Sequence, residues 1–74
     1  MDEESVEMHI QYYKDGGVQA KGKMVNGQPD GYWEWFRKDG SKMRTGTFEE
    51  GKQTGEWTTY TRTGQVVKVT RFKT

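Results

Sequence analysis

The chain has 74 residues, a formal charge of +1, 31% charged and 30% hydrophobic residues, no cysteine, and an aromatic share of 14% set among 10 glycines. These totals fit one domain whose small core is built from few but large side chains. They exclude a disulfide framework, a thiolate metal site and a thiol nucleophile.

Asp2, Glu3 and Glu4 make the start acidic, and the aromatic and β-branched content beyond it confines expected disorder to residues 1–4. From there, runs rich in Val, Thr, Tyr, Trp and Phe alternate with glycine-centred breaks, and no 3.6-residue apolar period appears. The pattern predicts strands over 5–14, 17–25, 32–38, 41–49, 56–62 and 65–73. Short breaks fall at Asp15-Gly16, Asp39-Gly40 and Thr63-Gly64, longer ones from Asn26 to Gly31, which includes Pro29, and from Glu50 to Gly55. Asp-Gly between strand-like runs reads as a two-residue type I′ turn, which asks for positive φ at both central residues. Thr63-Gly64 is a weaker version, because a β-branched residue resists positive φ. The expected fold is all-β: a single twisted antiparallel up-and-down meander of about six strands.

Gly22, Gly27, Gly31 and Trp33 recur as Gly46, Gly51, Gly55 and Trp57, displaced by 24 positions. Tyr12, Phe36 and Tyr60 form a further column, as do Met24, Phe48 and Phe72. A fixed period of this size marks one supersecondary unit stacked on its copies. The single domain, 1–74, thus divides into repeats of about 16–39 and 40–63 with partial units at both ends. Two-residue turns place Trp33 opposite Gly46, Gly31 opposite Phe48, Phe36 opposite Met43, Trp57 opposite Thr70, Tyr60 opposite Val67, His9 opposite Gly22 and Tyr12 opposite Gln19. An indole is expected over each mid-strand glycine. Alternation puts Met24, Trp33, Trp35, Gly46, Phe48, Trp57 and Phe72 on one face, and Tyr32, Phe36, Met43, Tyr60, Val67 and Val69 on the other. One sheet cannot cover two apolar stripes, so one of them is expected to meet a partner.

Catalytic chemistry finds no constellation. His9 lacks a nucleophile or carboxylate at motif spacing and sits in the tryptophan column, and Glu49-Glu50 reads as a solvated turn. No glycine-rich stretch precedes a helix, so no phosphate loop is expected. One histidine with scattered acids makes no metal site, and no cofactor is expected. Arg37, Lys42, Arg44 and Lys68 are expected beside Trp33, Trp35 and Trp57, an arrangement able to stack single-stranded nucleic acid, but the net charge is too small for a strong phosphate footprint. Trp35, whose counterpart one period on is Thr59, is not required by the repeat and is the best candidate for an interface anchor.

Gly22-Lys23-Met24, Gly27, Gly31-Tyr32-Trp33 and Phe36-Arg37-Lys38-Asp39-Gly40, followed by Gly46-Thr47-Phe48, Gly51, Gly55-Glu56-Trp57, Tyr60 and Gly64, resemble the MORN repeat, in its bacterial variant form. The resemblance runs over roughly residues 12–73 and departs from the pattern at His9, Glu56, Thr59 and Thr70. It implies a non-enzymatic meander of hairpins used as a scaffold or interaction surface. The functional expectation is a protein-interaction module that binds a protein partner or a second copy through Trp33, Trp35, Phe48, Trp57, Arg37 and Arg44. The alternative is an antitoxin-like protein neutralising a partner toxin, or a weak single-strand binder. No polybasic cluster or amphipathic helix supports membrane binding. No apolar run reaches the length of a signal peptide or membrane span, so a cytoplasmic protein is expected.

Overall fold

β-Branched and aromatic residues at alternating positions, interrupted by turn-forming pairs, leave the chain few alternatives to a meander. The computed structural model describes residues 5–73. It contains β1 (Val6–Tyr12), β2 (Val18–Val25), β3 (Gln28–Phe36), β4 (Lys42–Glu49), β5 (Lys52–Tyr60) and β6 (Val66–Phe72). The six form one open antiparallel sheet in sequence order, with no helix among the described residues. The disorder expected for residues 1–4 lies outside those residues.

The two kinds of turn are the reverse of the sequence expectation. Asn26-Gly27 and Glu50-Gly51 are the two-residue turns, with positive φ at both positions and Val25 paired with Gln28 and Glu49 with Lys52 across them. Strands β3 and β5 therefore begin four residues early, and Pro29 lies inside β3. At the Asp-Gly sites the loop is longer. Gly16, Gly40 and Gly64 donate to the carbonyls of Tyr13, Arg37 and Thr61, while the amides of those three residues donate to Gly17, Ser41 and Gln65. Only the glycine has positive φ, so each loop is a three-residue type I turn closed by a glycine bulge. Thr63 fits because it never enters the left-handed region.

These bulges also shift the pairing beside each loop. Trp33 opposite Gly46, Gly31 opposite Phe48, Trp57 opposite Thr70 and His9 opposite Gly22 stand as expected. Tyr12, Phe36 and Tyr60 instead pair with Val18, Lys42 and Val66. The extra loop residue displaces each by one.

The core is thin and lies mid-sheet. Ala20, Trp33 and Trp57 are the buried apolar residues, joined by Thr45 and Thr54. A second correction concerns how the rings reach the glycines. A Cβ on Gly46 would stand 2.2 Å from the ring of Trp57, and one on Gly22 only 2.1 Å from that of Trp33. The ring over Gly46 thus comes from β5 and not from its hairpin partner Trp33. The indole crosses because β3 inserts Gly31 and Tyr32 between its pairings of Trp33 with Gly22 and of Asp30 with Lys23. That bulge turns the side chain onto the preceding strand. Each buried indole N–H is satisfied, from Trp33 to the Lys23 carbonyl at 3.0 Å and from Trp57 to the Thr47 and Thr54 carbonyls at 3.2 Å.

Candidate interaction surface

One face carries an unbroken row of rings contributed by five of the six strands. His9 lies 5.9 Å from Trp33, which lies 6.1 Å from Trp35 and 6.0 Å from Phe48. Trp57 stands 5.1 Å from Trp35, 5.0 Å from Phe48 and 6.1 Å from Phe72. The contacts of Phe48 with Trp33 and Trp57 are edge-on at 87° and 88°, which sets positive ring edges against negative faces, worth about 0.5–1.5 kcal/mol per pair. The expected set of Trp33, Trp35, Phe48, Trp57 and Phe72 is therefore together on one face.

Its members differ in what they leave for a partner. Trp33 and Trp57 are buried at 6% exposure, while Trp35 and Phe48 are half-buried. Among the described residues the Trp35 indole N–H meets no acceptor, in contrast to the other two. The Arg44 guanidinium lies over the Trp35 ring at 5.6 Å, and Arg44 itself is exposed. Rings and cation together make a patch of low polarity with a positive rim.

The other basic residues divide differently. Lys42 turns away from the rings: its ammonium stands 2.9 Å from Glu34, and Lys21 approaches the same carboxylate at 3.8 Å. Glu34 lies between Trp33 and Trp35 in β3, so alternation puts this trio on the opposite face. The Glu34 contact is the main reason the Lys42 ammonium holds its proton above the ordinary value of 10.5. Arg37 is spent internally, donating to Ser41 Oγ and to the carbonyls of Lys42 and Tyr60. Lys68 is exposed and pairs with Thr59, which alternation puts on the ring face.

The role of Arg37 in joining hairpins was missed in the sequence, although a signal was present. Tyr13-Lys14-Asp15-Gly16 and Arg37-Lys38-Asp39-Gly40 stand 24 residues apart. Tyr13 Oη donates to the Phe36 carbonyl at 2.8 Å as Arg37 donates to that of Tyr60. In both, the first residue of the loop ties one hairpin to the next.

His9 is exposed at the free edge of the sheet, against Trp33. Glu49 and Glu50 border a shallow recess with Lys52, Gln53, Thr54 and Lys73. No grouping of three or more His, Cys, Asp or Glu suited to a metal occurs among the described residues. No family model, curated protein or solved structure matches this chain.

Proposed function

We propose that this chain is a non-enzymatic interaction module of the MORN-variant kind, acting in the cytoplasm, whose ring face docks a partner protein with Trp35 at the centre. One observation carries the reading. The half-buried Trp35 indole, seated between Phe48 and Trp57 beneath Arg44, has an N–H that meets no acceptor among the described residues and no role in covering a glycine. Tryptophan and arginine in a ring-lined patch are the side chains that most often dominate binding energy.

The test is affinity for a purified partner together with the stability of each variant. Trp35→Ala is expected to weaken binding by about 2 kcal/mol, roughly thirtyfold, while the thermal midpoint falls far less than for Trp57→Ala. Unchanged binding by a folded Trp35→Ala protein overturns the reading. Arg44 over Trp35 also favours a second reading, an antitoxin-like grip on an acidic surface or a single strand. That version loses affinity steeply as salt rises, whereas an apolar interface does not.

A further inference from the structure

The sheet is open, and both outer strands present apolar rows. Val6, Met8, Ile10 and Tyr12 on β1 are 57%, 67%, 42% and 57% exposed, and Val67 and Val69 on β6 are 62% and 47% exposed. Unpaired strands of this kind are templates for another strand. The pairing inside the sheet says which strand fits. At β2–β3, Lys21 faces Glu34 and Gly22 faces Trp33. At β4–β5, Thr45 faces Thr58, and the ring of Trp57 covers Gly46. Strand β6 follows β4 by the same offset that separates β4 from β2, and β1 precedes β3 by it. The two edges are thus the halves of a third such junction, and carrying the register forward sets Val69 opposite Ile10, Thr70 opposite His9 and Lys68 opposite Gln11 of another copy.

The substitutions at these edges are complementary. Inside the sheet an indole leaves no room for a Cβ on the facing strand. At the edges, Thr70 adds a side chain at the glycine position, and His9 supplies a smaller ring at the tryptophan position. The neighbouring pair changes from Lys–Glu and Thr–Thr to Val–Ile, two residues only half covered in the single chain. Positive φ at Gly31 and Gly55 makes the bulges of the inner junctions. Glu7 stands at that position in β1, so the outer junction runs straight.

We propose that copies of this chain associate head to tail, β6 of one pairing antiparallel with β1 of the next around Val69–Ile10 and Thr70–His9. The contact is heterologous, so it propagates instead of stopping at a dimer. It lies at the sheet edges, away from the Trp35 patch, and goes beyond the partner docking proposed above. Trp35→Ala leaves it intact.

Light scattering from roughly 1 μM to 1 mM should show a mass rising past that of a dimer. Ile10→Lys and Val69→Lys should each raise the dissociation constant at least tenfold, on the order of 1.4 kcal/mol or more. Mixed one to one they should form a heterodimer and stop, because one intact edge of each remains. A monomeric wild type, self-association by either folded variant as tight as the wild type's, or a mixture that associates no more tightly than either variant alone overturns the proposal. Should lysine prevent folding, His9→Cys and Thr70→Cys proteins provide the same test, since directly facing residues have Cα atoms about 4.5–5.5 Å apart, within disulfide reach. Oxidation of the mixture should yield the heterodimer in excess over either homodimer. Equal yields, or no cross-link, overturn it.

Discussion

Gly46 has no room for a methyl group: the Cβ of an alanine would lie 2.2 Å from the Trp57 ring, and a ring wedged among Trp35, Phe48 and Phe72 has nowhere to move. Gly46→Ala and Gly22→Ala should each cost about 3 kcal/mol in urea unfolding, a large share of the stability of so small a domain. Gly17→Ala meets only Asp15 Oδ1 at 3.4 Å and should cost less than about 1 kcal/mol. Glu50 is the opposite case. It holds φ 51°, as Asn26 does at the corresponding turn, but lacks the short amide side chain that eases the left-handed region. Glu50→Asn should raise stability by about 0.5–1 kcal/mol, and its backbone bond to Asp30 does not depend on the side chain. The complementarity of glycine and ring was legible in the 24-residue offset. Which ring serves which glycine was not, because the bulge that carries an indole onto the preceding strand leaves no mark on hairpin pairing.

Two of the three glycine-bulge loops add a side-chain tie to the ladders between hairpins, from Tyr13 to the Phe36 carbonyl and from Arg37 to that of Tyr60. Arg37 is half-buried; its bond to the Lys42 carbonyl closes its own loop, and its bond to the Tyr60 carbonyl ties that loop to the end of β5. Arg37→Met should therefore cost about 2 kcal/mol in thermal unfolding, whereas Arg44→Met, exposed on the ring face, should stay within about 0.5 kcal/mol. Within the same loop, Asp39 accepts bonds from the Ser41 hydroxyl and amide at 2.6 and 2.8 Å and faces Arg62 at 3.3 Å. The Ser41 bonds, foremost that from its hydroxyl, and then Arg62 and Arg37 hold its carboxyl below the ordinary value of 3.8. A depressed carboxylate stabilises the fold above its unfolded pKa, and that support is lost as pH falls through the folded value. Asp39→Asn should accordingly lower stability between pH 6 and 8 and flatten the acid limb below about pH 4, so that the two proteins converge at low pH. For Lys42 the sign reverses, since its raised pKa supports the fold below 10.5 and the support is lost as pH rises through the folded value. Strand order and most of the pairing were legible from alternation and glycine spacing. The exchange of turn types was not, because Asp-Gly suits both a type I′ turn and a type I turn with a glycine bulge. The separation of Arg44 from Arg37 and Lys42 was hidden for the same reason, as the loop geometry decides which side each one takes.

A slab of 46 × 33 × 12 Å is one layer thick, whereas most domains stack two. The surplus of apolar side chains over available cover was legible in the sequence as two stripes on one sheet. What their positions at the edges imply was not, because exposure depends on which strands end the meander. Each strand packs mainly on its neighbours in sequence, and the buried residues fall on β2 through β5, none on β1 or β6. Stability in such an array is a sum of nearest-neighbour contributions and declines toward the ends. Native-state hydrogen exchange of the monomer should show amides of β3, β4 and β5 opening only with global unfolding. Those of β1 should exchange first, since every residue of that strand is exposed and leaving costs only its pairing with β2. Uniform protection across all six strands would contradict this gradient. Raising the protein concentration separates the two surfaces in the same experiment. Head-to-tail pairing should slow exchange in β1 and β6 together and leave the ring face unchanged, whereas a bound partner on that face should protect β3 to β5 around Trp35 and leave the outer strands as open as before.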